Sequence, residues 1–197
     1  MVLPLAVGAM LLAAPAQAQF SEGYKFLEAV KKKDGAEVEK LLGQPGTTLV
    51  NTRDISSGET ALHVVTTRRD LTWMAFLIDK GANVNARDNR GVTPLTLACN
   101  LGFVDGVELL VERKARVDEP TATGETPLIS AVHRRNIAMM RVLLKAGADP
   151  DRADNSGRSA RDYAALDGKN GQLVAEIAAN AKPRQPGGRS ATYGPSF

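Results

Sequence analysis

Cysteine occurs once in the 197 residues, as Cys99, so the chain cannot close a disulfide on itself. Aromatic side chains make up only 5% of the composition. A core built mostly from Leu, Val, Ile and Ala suits thin layers of helices better than one large globular centre. There are two histidines, His63 and His133, and neither has a Cys-x-x-Cys or His-x-x-x-His companion. Structural metal sites commonly take four ligands and catalytic ones three, so no metal site is expected. Walker loops, serine nucleophile elbows and repeated acidic pairs are also missing, which argues against an enzyme and against a cofactor. Charge of one sign is lacking too: 25 basic and 22 acidic residues leave a net +3. That balance disfavours a generic polyanion or nucleic-acid binder.

The two ends differ from the rest. Residues 1–18 carry no ionisable side chain, and an apolar stretch from Leu5 to Ala14 precedes Ala16-Gln17-Ala18. This is the pattern of a secretory signal peptide, with cleavage expected after Ala18 and Gln19 as the first mature residue. An uncleaved anchor and an ordinary cytosolic terminus are the competing readings. A spanning helix needs about 20 predominantly apolar residues, and Pro15, Gln17 and Gln19 interrupt this run. Export places Cys99 in an oxidising compartment. At the other end, residues 182–197 hold three prolines and three glycines. This tail is expected to be disordered, because it offers little apolar surface to offset the entropy of ordering.

Between the ends lies a ladder. Gly58, Gly91, Gly124 and Gly157 follow one another at intervals of 33 residues and open the phrases G-E-T-A-L-H, G-V-T-P-L-T, G-E-T-P-L-I and G-R-S-A-R-D. A fixed period of this length marks stacked helical repeats. Thr60, Thr93, Thr126 and Ser159 are placed to cap a helix, and Pro94 and Pro127 suit its first turn, where the missing N–H is harmless. The second halves of the units end at Gly81, Lys114 and Gly147. Glycine fits the left-handed position that stops a helix, so Lys114 is the expected point of strain. Each unit reads as two helices and a loop, for example Pro94–Asn100, Asp105–Arg113 and a loop over 118–124. The chain is expected to be all-α, a solenoid of about five helix-turn-helix units over residues 19–181. The approximate units are 21–54 as an N-terminal cap, 55–87, 88–120, 121–153, and 154–181 as a C-terminal cap. In the first unit, Lys31-Lys32-Lys33-Asp34-Gly35 reads as the turn between two helices. In the last, Arg161 and Asp162 put polar groups where inner copies are apolar.

These phrases closely resemble the ankyrin repeat family, whose unit opens with G-x-T-P-L-H and ends its second helix before G-A-D-V-N. The matching segments are Gly58 to His63 with Gly81 to Asn85, Gly91 to Thr96 with Lys114 to Asp118, Gly124 to Ile129 with Gly147 to Asp151, and a degenerate Gly157 to Asp162. The resemblance implies that His63 joins a local hydrogen-bond network, which Thr96 replaces in part and Ile129 does not. It also implies protein binding through a concave surface of loop tips and first helices. Carried over by position, that surface comprises Ser56, Ser57, Glu59, Thr67 and Arg68; then Asn89, Arg90, Val92, Asn100 and Leu101; then Ala122, Thr123, Glu125, His133 and Arg134; and finally Asn155, Ser156, Arg158, Leu166 and Asp167.

Several readings stay open at this level. Arg68, Arg90, Arg134 and Arg158 form either a positive stripe for an acidic partner or ordinary solvating charge. His133 is either a contact or plain surface, and Trp73 either packs within its repeat or anchors a partner. Cys99 reads as buried packing, because its counterparts Thr66, Val132 and Ala165 interchange as packing residues do. The leading functional reading is an exported, monomeric adaptor that binds an unidentified protein in the bacterial periplasm. A structural or stress-protective accessory subunit of an envelope enzyme or assembly is the alternative. A nucleic-acid or anionic-surface binder is a third, disfavoured class.

Overall fold

The computed structural model describes residues 21–44, 47–168 and 171–181. The expected leader, 1–18, and the Pro/Gly-rich tail, 182–197, lie outside the described residues. Ten α-helices follow in order: α1 Glu22–Lys32, α2 Gly35–Leu42, α3 Ala61–Thr67, α4 Leu71–Asp79, α5 Pro94–Leu101, α6 Val104–Glu112, α7 Pro127–His133, α8 Ile137–Lys145, α9 Ala160–Leu166 and α10 Gln172–Asn180. A single 3-10 turn, Leu49–Asn51, precedes α3. The helices form five consecutive pairs in two layers. Odd-numbered helices stack on one another from α1 to α9, and α4, α6, α8 and α10 stack behind them. The all-α repeat architecture expected from the 33-residue ladder is the one observed.

The opening phrase works as a helix start. The hydroxyls of Thr93, Thr126 and Ser159 each accept the backbone N–H three residues on, at 3.2 Å. Most second helices have their own cap: Asp34, Asp70 and Asn136 accept from Glu37, Trp73 and Met139 N–H at 3.1, 3.3 and 3.1 Å. Phe103 holds that place in the middle unit and caps nothing with its side chain. α6 still begins at Val104, in register with Leu71 and Ile137 and one residue earlier than expected.

Besides the ladder glycines, left-handed residues mark two helix ends in each of the three inner units. The expected one ends the second helix, at Gly81, Lys114 and Gly147, with φ of 91°, 65° and 96°. The unexpected one joins the two helices, at Lys33, Arg69, Gly102, Arg135 and Gly168, with φ of 59°, 55°, 68°, 52° and 58°. This corrects the reading of the first unit. Lys31 and Lys32 still belong to α1, Lys33 alone makes the turn, and Gly35 is already the first residue of α2 because the Asp34 carboxylate starts that helix.

The core repeats in register. Leu62, Leu95 and Leu128 are buried in the first helices, and Leu77, Leu110 and Leu143 in the second. Each such side chain contributes about 1.5–3 kcal/mol by leaving water, but only when a neighbouring unit covers it. The last unit shows what happens where that neighbour ends. Thr66, Cys99 and Val132 are buried, whereas their counterpart Ala165 is exposed. Glu176 takes the place of the second-helix leucine and is 9% exposed. Its carboxylate accepts two 2.8 Å bonds from the Arg141 guanidinium.

Candidate protein-binding surface

Between the helix pairs the chain forms short fingers. Each is closed by a backbone bond across its base: Asp54 N–H to Glu59 O at 2.8 Å, Asp88 to Val92 at 2.9 Å, Thr121 to Glu125 at 3.0 Å, and Asp154 to Arg158 at 2.9 Å. An aspartate organises three of the four. The Asp54 carboxyl is lowered to about 2 by bonds from the Ser56 hydroxyl and from the Ser57 and Ser56 N–H groups. At Asp154 burial works against the charge, yet bonds from Ser156, Tyr163 and Arg158 still hold it at about 2. Sequence reasoning missed this aspartate column, although D-x-x-x-G or D-x-x-G precedes three of the four ladder glycines.

The fingers are laced to one another. Asn89 N–H donates to Ser57 O at 2.9 Å, Ala122 to Arg90 O at 3.3 Å, and Asn155 to Thr123 O at 3.2 Å. Side-chain amides repeat the link, from Asn89 to Ser56 O at 3.0 Å and from Asn155 to Ala122 O at 3.1 Å. The ladder glycine permits this approach. A Cβ on Gly124, where φ is 80°, would lie 2.6 Å from the Asn155 nitrogen. Asn89 and Asn155, contact candidates that remain exposed, thus also brace the scaffold. The first finger is one residue longer than the second and fourth, and the extra length leaves Ile55 99% exposed.

His63 ties a first helix to the next finger. Its Nδ1 accepts from the Thr60 backbone N–H at 3.1 Å and lies 2.9 Å from the Thr60 hydroxyl, while Nε2 lies 3.0 Å from Val92 O. That arrangement requires neutral imidazole with its proton on Nε2. Burial pushes the pKa of His63 down, opposed by its bond to the Val92 carbonyl. Among the other positions, Asp162 rebuilds a cap with Ser159, accepting its backbone N–H at 2.8 Å and its hydroxyl at 2.6 Å.

The four arginines do not share one environment. Arg68 donates to Val30 O at 2.5 Å at the end of α1, and its guanidinium stands 5.7 Å from the centre of the Trp73 ring. Trp73 in turn packs edge-on against Phe76 at 5.8 Å. Arg90 folds back onto Asp88 at 3.3 Å, and Arg158 lies 6.0 Å above the Tyr163 ring. Arg134 is exposed and passes over Gly102. Neighbouring Arg69 and Arg135 make inter-unit links that sequence reasoning did not foresee, to Leu101 O and to Asp167.

The remaining candidates divide into tips and an inner helix face. Ser56 and Ser57 bond to Asp54, and the Ser57 hydroxyl also reaches Glu59 at 3.2 Å. Ala122 and Thr123 are exposed at the third tip, and the Ser156 hydroxyl meets Asp154 at 2.7 Å. Val92 is half-buried, as is Leu101. Thr67, Asn100, His133 and Leu166 fall in one ladder column and are all exposed, with Asn100 accepting the Ser130 hydroxyl. At the last two units this face becomes a built cluster. His133 Nδ1 lies 3.5 Å from Glu125, and its ring meets Tyr163 edge-on at 4.4 Å. The Tyr163 hydroxyl donates to Asp154 at 2.7 Å, and Leu166, three residues on, is 68% exposed. Tyr163 was not among the sequence candidates, although it is the aromatic member of the column Val64, Leu97, Ser130 and Tyr163.

Cys99 is fully buried, and burial pushes its thiol far above the ordinary range. Among the described residues no group of three or more His, Cys, Asp or Glu is placed to hold a metal ion. Nor, among them, is any helix long and apolar enough to cross a membrane.

Comparison with known proteins agrees with the geometry. A family model described as "Ankyrin repeats (3 copies)" matches residues 26–121, and one described as "Ankyrin repeats (many copies)" matches residues 110–164. The chain belongs to the ankyrin repeat family. Ankyrin repeats are protein-interaction modules, and this chain carries such a scaffold. Similar proteins include the ANK repeat-containing protein nipk-1 of Caenorhabditis elegans, 33% identical over 59% of this chain and 22% of that protein. BCL-6 corepressor-like protein 1 of Homo sapiens is 39% identical over 43% of this chain and 5% of its own length. The nuclear factor NF-kappa-B p105 subunit of Gallus gallus is 41% identical over 49% of this chain and 10% of its own length. The chain therefore spans a small part of these relatives, and the match lies in the ankyrin repeats.

Proposed function

We propose that this ankyrin chain is a non-enzymatic adaptor, exported to the bacterial periplasm, that holds a partner protein against its finger tips and first helices. The supporting observation is the His133–Tyr163–Leu166 cluster. Tyr163 is held by Asp154 and by the His133 ring, so binding costs it little rotamer freedom, and exposed Leu166 beside it offers apolar area without a covering element. Tyrosine is among the residues that carry most of the binding energy at protein interfaces, and the apolar area around it helps exclude water. Export rests on residues 1–18, whose apolar run and Ala16-Gln17-Ala18 pattern suit signal cleavage.

The test combines location with contact. Amino-terminal sequencing of the mature protein from cell fractions should give Gln19 in the periplasmic fraction; a chain retaining Met1 in the cytosol would refute export. Crosslinking in those fractions should capture a defined protein with the native chain and lose it with Leu166→Asp. Equal capture by both would remove the cluster from the interface.

A further inference from the structure

An open recess of about 340 Å3 lies beside the first two fingers, lined by Asn51, Arg53, Thr60, Asn83, Asn85 and Arg87 together with Ala86. Each of its asparagine oxygens already accepts one backbone bond. Asn51 Oδ1 accepts from Asn83 N–H at 2.7 Å, Asn83 Oδ1 from Asn85 N–H at 2.9 Å, and Asn85 Oδ1 from Arg116 N–H at 2.8 Å. The Thr60 hydroxyl lies against His63 Nδ1. Among the described residues, the amide nitrogens of Asn83 and Asn85 have no hydrogen-bond partner. No carboxylate lines the recess. The lining therefore combines unpaired amide donors with two arginines and no carboxylate.

The two arginines are not equivalent. Arg87 is held at the rim by Glu119, which also receives Arg116 at 3.1 Å. Arg53 has no carboxylate partner among the described residues, and its side chain makes one long bond, 3.5 Å to Asn89 Oδ1. Nor does the repeat itself call for a cation here. The residue just before each finger is Arg53, Arg87, Pro120 and Ala153 in turn, so the guanidinium groups occur only where the recess is.

We propose that this recess binds a compact oxyanion, a carboxylate or phosphate group carried by a small molecule, with Arg53 as the principal cation and the Asn83 and Asn85 amides as further donors. A planar guanidinium presents donors in the fork that such groups accept, and charge-assisted bonds are about twice as strong as neutral ones. The lining holds no carboxylate to balance the charge of a metal or an ammonium group. The site is separate from the His133–Tyr163 cluster and does not depend on it.

Amide NMR titration of the full chain tests this, with inorganic phosphate and succinate as separate probes and chloride at matched ionic strength as the reference. At least one probe should produce saturating shifts at the backbone amides of Asn51, Arg53, Asn83 and Asn85, and the stronger of the two identifies the preferred group. Arg53→Gln should weaken binding about tenfold or more, the loss expected for one charged hydrogen bond. Glu119→Gln should tighten it, because Arg87 is then released toward the recess. A merely structural role for these side chains would not produce that gain. Asn85→Asp, which puts a carboxylate inside the lining, should abolish binding and covers the case in which Arg53→Gln folds poorly. The proposal is overturned if chloride gives the same shifts, if neither probe saturates, or if Arg53→Gln and Asn85→Asp bind as the native chain does. Leu166→Asp should leave the titration unchanged.

Discussion

His63 in the first full repeat lies with its Nε2 3.0 Å from the carbonyl of Val92 in the next, while its Nδ1 accepts the Thr60 N–H. One imidazole thus closes a cap in its own repeat and bonds across to the following finger.

Removing it should be costly. His63→Ala leaves the buried Thr60 N–H without its partner, at about 1–3 kcal/mol, and removes one of the two bonds that the Val92 carbonyl accepts, the other coming from Asp88 N–H. Urea denaturation at neutral pH should show a lower midpoint, with the loss concentrated in the first two repeats when followed by amide exchange.

The same contact predicts a pH dependence. Burial lowers the folded pKa of His63 below its ordinary 6.5, so the unfolded chain binds the proton first. Stability from this group is then fully present above about pH 6.5 and is lost as pH falls through that value toward the folded pKa. The stability difference between pH 7.5 and pH 5.5 should be smaller in a His63→Gln variant than in the native chain. An identical difference in both would exclude His63 as the source.

Lys114 and Arg69 both have positive φ, at 65° and 55°, yet they should respond differently to glycine. Lys114 stands where Gly81 and Gly147 stand in the adjacent units. Lys114→Gly relieves left-handed strain of about 1–2 kcal/mol, partly offset by greater freedom in the unfolded chain. Its thermal midpoint should rise. Arg69→Gly relieves similar strain but gives up the bond to Leu101 O, so its midpoint should stay level or fall.

Glu176 and Arg141 should behave as a unit. Arg141→Ala leaves the nearly enclosed Glu176 carboxylate with only the Asn180 amide, at 2.8 Å, and no balancing charge, and the melting midpoint should drop. Glu176→Leu restores the side chain that Leu77, Leu110 and Leu143 supply in the preceding repeats, and replacing such a pair by apolar packing is often neutral or better. The double variant should therefore melt above Arg141→Ala alone. Additive losses from the two single changes would contradict this.

The 33-residue period makes the helix order readable in the sequence, because capping hydroxyls, first-turn prolines and stopping glycines are local signals. Thr93, Pro94 and Gly147 act at the positions where they occur in the ladder. The surface was less legible. Arg68 looked like a contact because its column faces inward, yet its guanidinium turns to α1, a partner 38 residues earlier. Asn89 and Asn155 likewise reach fingers one unit back. Such reach is decided by which neighbour lies within a side chain's length, and a one-dimensional pattern does not carry that information. The Arg69 and Arg135 turns were hidden for a related reason. Their left-handed backbone is held by inter-unit bonds in place of glycine, so the usual residue signal is missing.

The proposed adaptor role requires a partner protein to meet the inner helix column. Its most direct test places a photocrosslinking amino acid singly at Thr67, Asn100, His133 or Leu166, and in parallel at Glu108 or Lys145 on the exposed side of the second helices. Irradiation in the native compartment should give one defined crosslinked product from the first set and none from the second. A product from Glu108 or Lys145 with none from the inner column would contradict it.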